Sequence, residues 1–291
     1  MQHRPHDAEA TRAPRPEPAA LPPEPESEPG SRSDVDLRTD LPHSARVWNY
    51  WLGGKDHYPA DEELGRRVAA SYPQAGELAR ASRAFQDRAV RQVAADGIDQ
   101  FVDLGTGLPT AMPTHRSAQD VRPAARIVYV DNDPVVLAHA RALLTSAPGG
   151  ATAYIEADLR DPATVLAAAA RTLDLTRPTA LLALSTLGHL PAPEAADLMQ
   201  RYLTHLAPGS FLITCDTIRT PDTLRAQEAY ASGDTTPYWC RDPEEILACA
   251  RGLTLLEPGL VPVTHWRPAP DGPAAAVDQW GLVARKPCPK P

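Results

Sequence analysis

Two glycines and, further along the chain, an acidic residue have the types and spacing that a nucleoside site requires. Gly105 and Gly107 form a Gly-x-Gly turn directly after a short apolar run, and such a turn lets the backbone pass close to a bound ligand. Asp131 follows the next apolar run. A carboxylate there can accept hydrogen bonds from both hydroxyls of a ribose. The pattern therefore predicts a nucleoside site.

The residues around the turn indicate which nucleoside it is. A dinucleotide fold needs a third glycine, in the pattern Gly-x-Gly-x-x-Gly, for close packing under a pyrophosphate. This chain has Thr110 there, preceded by Pro109, which disfavours an NAD-dependent oxidoreductase. Asp103 would repel a pyrophosphate but suits the cationic amino-acid end of S-adenosylmethionine (SAM). We therefore expect SAM; the alternative is that Asp103 and Asp131 are ordinary turn residues at strand ends.

Positioning these residues requires a parallel sheet, and the chain has the rhythm of one. Short apolar runs alternate with stretches of helical periodicity. Strands are expected at residues 98–104, 126–130, 151–155, 179–184, 210–215, 253–263 and 279–284, the last two as an antiparallel pair. The predicted fold is α/β: a Rossmann-like, seven-stranded class I sheet with helices on both faces. Such sheets bind ligands beyond the carboxyl ends of their strands.

The N-terminal region differs in composition from the rest. Residues 1–40 are rich in Pro, Glu, Ala and Arg with few large apolar side chains, which predicts a disordered tail. A helical cap is expected at 41–97, and the SAM-binding domain at 98–291.

The cap begins with an aromatic helix at residues 44–52. Ser44 is a suitable N-cap, apolar side chains follow at helical spacing, and Gly53 with Gly54 ends the helix. Tyr50 and two tryptophans stand beside this flexible glycine pair, which fits a lid that packs on a ligand. The alternative is a simple structural anchor.

The remainder of the cap is predicted as a loop at residues 55–61 and two helices within 62–95, broken at Tyr72-Pro73. On the second helix, Arg83 and Asp87 are spaced i,i+4. This spacing predicts an exposed ion pair that contributes only tenths of a kcal/mol.

Composition excludes several classes of function. A formal charge of −8 over 291 residues argues against a nucleic-acid partner held through phosphates. No apolar run reaches the length of a membrane span or a signal peptide core. The 4 cysteines show no Cys-x-x-Cys pair, so neither a metal site nor a disulfide framework is expected. We expect a soluble, cytoplasmic protein.

The motifs also resemble those of a known family. Residues 44–56 resemble the Arg-Val-Tyr-Asp-Tyr-Leu-Leu-Gly-Gly-Lys-Asp signature of an actinobacterial family of SAM-dependent methyltransferases. Residues 103–110, 128–136 and 157–162 match three further motifs of that family. The resemblance runs from about residue 41 to residue 287 and implies the class I methyltransferase fold and SAM as cofactor.

The chain departs from the family pattern in places that bear on the acceptor. Asn49 stands where Asp is usual, Ser82 where Asn is common, and Asp216 where His is frequent. The family's acceptors are largely undefined, so the acceptor of one relative is not carried over.

Site residues follow from the strand ends and from the fold that the resemblance implies. His189 follows the fourth strand, and its ordinary pKa near neutrality suits it to take a proton from an acceptor; the alternative is that it only orients the loop. Tyr50 of the cap is the second catalytic candidate. The cofactor candidates are Asp103, Gly105 and Gly107 for the methionine end, Asp131 for the ribose, Asp158 and Leu159 for the adenine, with Thr106, Asn132 and Ser185 beside them.

The expected activity is methyl transfer from SAM to an unidentified small-molecule acceptor. A SAM-binding sensor or assembly protein that no longer transfers methyl is the alternative, because the SAM motifs are kept while Asn49 and Asp216 change the acceptor side.

Overall fold

The computed structural model describes residues 38–109, 112–143, 146–268, 270 and 275–288. Of the tail predicted for residues 1–40, only the last three residues lie within this part of the chain. Thr110 also lies outside the described residues.

A mixed sheet lies at the centre of the described chain. Its strands are β1 Gln100–Leu104, β2 Arg126–Asp131, β3 Ala151–Glu156, β4 Ala180–Leu184, β5 Phe211–Thr217, β6 Thr254–Leu255, β7 Val261–Pro262 and β8 Gln279–Arg285. Their order is β3-β2-β1-β4-β5-β8-β6, with β7 also paired to β8. The first five are parallel, and β8 is antiparallel to β5. The predicted fold class is confirmed.

Within the described residues the sheet has eight strands, one more than expected, and the difference lies beyond β8. A single strand was predicted at 253–263, but the described chain has two short ones, β6 and β7, both antiparallel to β8. Pro258 and Gly259 lie between them. Because proline cannot donate to a sheet ladder, the pairing is interrupted there. The predicted antiparallel closure is confirmed.

Helices cover both faces of the sheet. They are α1 Ser44–Trp51, α2 Pro59–Ser71, α3 Ala75–Ala95, α4 Thr114–Gln119, α5 Pro134–Leu143, α6 Pro162–Ala169, α7 Ala192–His205, α8 Pro221–Ala231 and α9 Pro243–Cys249. None of these has the length and apolar character of a membrane-crossing segment.

The alternation of side chains along each strand builds two cores. Phe101 points to the face covered by α3 and α4, and its neighbour Val102 points to the face covered by α6, α7 and α9. Both are fully buried, and burying one such side chain contributes about 1.5–3 kcal/mol. Helices on both sides make the strands of this sheet apolar on both faces.

A third, smaller core ties the N-terminal helices to a helix from late in the sequence. Val47 of α1, Leu64 and Val68 of α2, and Tyr230 of α8 are buried together. The cap is therefore built from two distant parts of the chain. The second half of α3 instead packs on the sheet through Phe85 and its neighbours.

The starts of α1 and α2 differ from the prediction. The N-cap of α1 is His43, whose Nδ1 accepts the backbone N–H of Ala45 at 3.3 Å, so the choice of Ser44 was wrong. Residues 59–61 begin α2 and are not a loop, because Pro59 suits the first turn. Fully buried Asp61 accepts the backbone N–H groups of His43 and Tyr58, both at 2.8 Å, and so joins the two helix starts.

Candidate functional site

The glycine turn follows β1 at the switch in strand order, where β2 lies on one side and β4 on the other. Gly105 has a φ of 62°, and a Cβ on it would lie 2.2 Å from Oγ1 of Thr186. No side chain fits there. The backbone N–H of Gly107 donates to Oδ2 of Asp131 at 2.9 Å. The turn thus joins the ends of β1 and β2.

Asp131 closes this part of the site with a carboxylate that is only 6% exposed. Its Oδ1 accepts the backbone N–H of Asp133 at 3.0 Å, and burial raises its pKa above the ordinary value. Each carboxylate oxygen can accept more than one hydrogen bond. Asp131 therefore keeps acceptor capacity beside the cavity that it lines together with exposed Asn132.

Asp103 lies beneath the site and does not line the cavity. It is 3% exposed, and one of its oxygens accepts the hydroxyl of Thr114 at 2.6 Å. Burial raises its pKa to about 6, against the opposing charge of Arg83. The sequence predicts that Asp103 holds the methionine end of SAM, whereas in the structure it does not line the cavity and the charge of Arg83 acts on it.

The end of β3 leads into the third group of candidates. Asp158 and Leu159 both line the cavity. The guanidinium of Arg160 donates from Nε to Asp158 at 2.9 Å, and this hydrogen bond lowers the pKa of Asp158. Asp161 caps α6 by accepting the backbone N–H of Thr164 at 3.2 Å.

Arg83 is a cavity-lining residue that the sequence reasoning missed. It makes no pair with Asp87; instead, its terminal nitrogens donate to Oε1 of Gln86 at 2.8 Å and to the carbonyl oxygen of Thr106 at 3.4 Å. Its Nε is buried without a partner among the described residues. Burial lowers the pKa of this guanidinium. Its unpartnered Nε leaves one donor for an anion.

Ser185 begins the other half of the site, at the end of β4. Its φ of 57° is unusual for a residue with a side chain and indicates a constrained backbone, of the kind that often occurs at functional sites. Nε2 of Gln279 donates to its hydroxyl at 2.8 Å, and Oε1 of Gln279 accepts the hydroxyl of Thr217 at 2.9 Å. One amide thus links the ends of β4 and β5.

His189 lines the cavity at the end of a short 3₁₀ helix, Leu187–His189. Its Nδ1 lies 2.9 Å from the carbonyl oxygen of Pro237. A carbonyl can only accept, so Nδ1 carries the proton and Nε2 holds the free lone pair. Burial lowers the pKa of His189 below its ordinary value, which keeps the ring neutral near pH 7.

Tyr238 packs against His189, with ring centroids 5.2 Å apart in an edge-on arrangement. Its hydroxyl donates to Oδ1 of Asp216 at 3.2 Å. Asp216 also accepts the backbone N–H of Gly188 at 3.2 Å, and burial raises its pKa to about 6. A Cβ on Gly188 would lie 2.3 Å from the Tyr238 ring, so glycine is required for this packing.

Tyr50 points away from the cavity and does not line it. Its ring packs edge-on against His57 with centroids 5.3 Å apart and lies close to Gly65 of α2. Trp48 and Trp51, on the opposite side of α1, do line the cavity. The helix therefore contributes its tryptophans to the site and its tyrosine to the contact with α2.

A cavity of about 280 Å³ connects these groups. It runs over the carboxyl ends of β1, β2, β4 and β5 and beneath α1, α2 and α8. Of the residues proposed from the sequence, those lining it are Gly105, Thr106, Gly107, Asp131, Asn132, Asp158, Leu159, Ser185 and His189. Within the described part of the chain, no group of three or more His, Cys, Asp or Glu side chains has the arrangement of a metal site.

A sequence profile of the S-adenosyl methyltransferase family matches residues 30–287. The chain belongs to this family. The resemblance drawn from the motifs is therefore confirmed, and with it SAM as the family's cofactor. The reading of residues 44–56 as the family's N-terminal signature stays a prediction.

Relatives of known structure share the whole fold. A DUF574 family protein from Streptomyces avermitilis is 40% identical, with a TM-score of 0.82 over 86% of this chain and 100% of the other. A provisionally named methyltransferase from Thermobifida fusca is 36% identical, with a TM-score of 0.80 over 88% of this chain and 99% of the other.

Among curated proteins, a provisionally named SAM-dependent methyltransferase from Mycolicibacterium paratuberculosis is 35% identical over 55% of this chain. The match spans 50% of that relative's length.

Proposed function

We propose that the protein transfers the methyl group of SAM to a small-molecule acceptor. The supporting observation is a single cavity with two unlike halves. A nucleoside-type half holds the glycine turn and Asp131, and a second half, at the ends of β4 and β5, holds His189. SAM supplies a methyl group already activated on a sulfonium sulfur.

The residues present fit SAM. Gly105 has no room for a side chain, so the backbone of the turn can approach the methionine end closely. Arg83 offers its unpartnered Nε to the carboxylate. Asp131 keeps acceptor capacity for the ribose hydroxyls, and Asp158 with Leu159 lines the part of the cavity where we expect the adenine.

Transfer then depends on holding an acceptor in line with the methyl group. Orientation of this kind can lower a barrier by about 7–11 kcal/mol in favourable cases. The cap of α1, α2 and α8 lies over the strand ends, while His189 can hold a proton released by the acceptor.

Calorimetry with SAM tests the binding half of the proposal. Asp131→Asn leaves one backbone N–H of its loop without its acceptor and removes a partner of the ribose, so affinity should fall by about 5- to 150-fold, equivalent to roughly 1–3 kcal/mol. Asp99→Asn is the matched control, because Asp99 precedes β1 at the opposite edge of the sheet and pairs with Arg177. Equal affinity in both variants would contradict the ribose assignment.

Methyl-labelled SAM tests the transfer half. Incubation with the low-mass fraction of a cell extract should give a labelled small molecule. Binding of SAM without label transfer to any fraction would favour the non-catalytic sensor, and absence of binding would contradict both readings.

A further inference from the structure

The half of the cavity beyond the glycine turn has an unusual lining. Five of its side chains are aromatic: Trp48, Trp51, Tyr72, Tyr230 and Tyr238. They come from α1, from the turn between α2 and α3, from α8 and from the loop after it. These are two of the 5 tryptophans and three of the 8 tyrosines of the chain. We call this group the aromatic wall.

The aromatic wall is continuous. The rings of Trp48 and Trp51 meet edge-on, with centroids 5.9 Å apart, and Tyr72 packs in the same cluster. Tyr230 and Tyr238 meet at 6.5 Å on the other side, and Trp51 contacts the cluster that contains Tyr230. Aromatic rings arranged in this way offer faces and edges to another ring.

Three polar ends of the wall are already engaged, whereas the hydroxyl of Tyr230 is buried without a partner among the described residues. The hydroxyl of Tyr72 donates to Asp278 at 3.1 Å, and that of Tyr238 donates to Asp216 at 3.2 Å. Nε1 of Trp51 donates to the carbonyl oxygen of Gly65 at 3.1 Å. The wall therefore presents mainly apolar ring surface to the cavity.

The charged side chains that line the cavity lie elsewhere. Among the described residues these are Arg83, Asp131, Asp158 and Arg160, beside the glycine turn or at the ends of β2 and β3. An anionic acceptor at the aromatic wall would lose its hydration without gaining an opposite charge, which is costly. A flat, uncharged molecule loses nothing comparable.

His189 is a titratable group at the wall that lines the cavity and can exchange a proton near neutral pH. It lies between Tyr230 and Tyr238, at ring distances of 6.4 and 5.2 Å. The carbonyl of Pro237 fixes its proton on Nδ1, so Nε2 is the atom that can accept another. Arg241, whose positive charge lowers the pKa of His189, and His43 lie on neighbouring elements.

We propose that the aromatic wall binds a flat, uncharged aromatic hydroxyl compound as the methyl acceptor, with Nε2 of His189 taking the hydroxyl proton. This inference rests on the proposed methyl-transfer function. The O–H bond breaks as its proton moves to Nε2. A lone pair of the oxygen forms the new bond to the methyl carbon, and the sulfur keeps the electron pair of the broken C–S bond. The proton then leaves His189 for solvent.

Three probes of similar size separate the features of the acceptor. 2-Naphthol is flat, neutral and hydroxylated; decahydro-2-naphthol keeps the hydroxyl but is not flat; 2-naphthoate is flat but anionic. Binding is measured by calorimetry on protein saturated with S-adenosylhomocysteine. We expect 2-naphthol to bind at least about tenfold tighter than either of the others. Equal or tighter binding of decahydro-2-naphthol or 2-naphthoate would overturn the acceptor class.

His189→Asn tests the proton acceptor. The shorter amide can still donate to Pro237 but has no atom at the place of Nε2. Affinity for S-adenosylhomocysteine and for 2-naphthol should stay within about threefold, while methylation of 2-naphthol should fall about 10²- to 10⁴-fold. The wild-type rate should also fall as the pH drops below the pKa of His189, and the variant should lose this dependence.

Two results would overturn the role of His189 or the acceptor class without touching SAM binding. The first is that His189→Asn methylates 2-naphthol at the wild-type rate. The second is protein that binds S-adenosylhomocysteine yet does not methylate 2-naphthol. Failure to bind S-adenosylhomocysteine would instead contradict the proposed function on which the inference rests.

Discussion

A terminal nitrogen of Arg83 lies 3.4 Å from the carbonyl oxygen of Thr106, in the glycine turn. This contact with the backbone holds the guanidinium at the turn. Its second terminal nitrogen is engaged by Gln86, and its Nε stays buried without a partner in the described chain. The arrangement leaves donors for a carboxylate at the place where the methionine end of SAM is expected.

Arg83→Met should separate this contact from the rest of the site. We expect S-adenosylhomocysteine to bind at least tenfold more weakly, because a charge-assisted hydrogen bond contributes about 1.5–3 kcal/mol. 5′-Methylthioadenosine lacks the carboxylate, so its affinity should be unchanged. Calorimetry with both ligands measures this, and an equal loss for both would show that Arg83 only supports the fold of the turn.

Asp216 should make stability depend on pH in a defined direction. Burial raises its pKa from 3.8 to about 6, so the folded state binds its proton more tightly than the unfolded state. Its stabilising contribution is present below about pH 4 and is lost as the pH rises through 6. Relative to Asp216→Asn, the wild type should lose on the order of 3 kcal/mol across this window.

Urea unfolding of both proteins at pH 4.5, 5.5 and 7 measures this difference. Asn keeps an oxygen for Gly188 and Tyr238, so the comparison isolates the charge. A constant difference between the two proteins at all three pH values would contradict the raised pKa.

Gly188→Ala should destabilise the fold by displacing the ring of Tyr238. The added methyl would lie 2.3 Å from the Tyr238 ring, and overpacking of this kind costs about 1–3 kcal/mol. Tyr238→Ala in the same chain should relieve the clash. The double variant should therefore lose less free energy of unfolding than the two single variants lose together. Additive losses would mean that the ring does not limit residue 188.

The cap should become protected when SAM binds. Trp48 and Asn49 of α1 line the cavity, so a lid that closes on the ligand buries backbone that is otherwise open. Hydrogen exchange read by mass spectrometry should show slower exchange at residues 44–58 together with 103–109 and 131–133. Protection of the two loops alone would make α1 a structural anchor.

Local patterns were enough to predict that the glycine turn and Asp131 lie together at one end of the sheet. The glycine turn and Asp131 each follow a strand within a few residues, and the parallel register brings such ends together. The N-cap of α1 was missed because the nitrogen of His43, like the oxygen of Ser44, can accept a backbone N–H, and only the tertiary contact with Asp61 distinguishes them.

Other residues could have been placed more accurately from helical periodicity. Positions 48, 51 and 52 share one side of a helix, whereas position 50 points to the other, which is where Tyr50 lies. Arg83 likewise falls on the same side of α3 as Ala79, Gln86 and Val90, which are buried. The aromatic wall had no such signal, because it depends on α8 meeting α1 and α2 across most of the sequence.

That last contact has a consequence for synthesis of the chain. The partners of α2 on α8 begin at Pro221, about 150 residues after α2 ends at Ser71. At translation rates of about 5–20 residues per second, the first helices wait on the order of ten seconds before α8 leaves the ribosome. During that interval the tryptophans of α1 have no α8 to pack against, and a nascent chain that pauses there offers an apolar surface to chaperones.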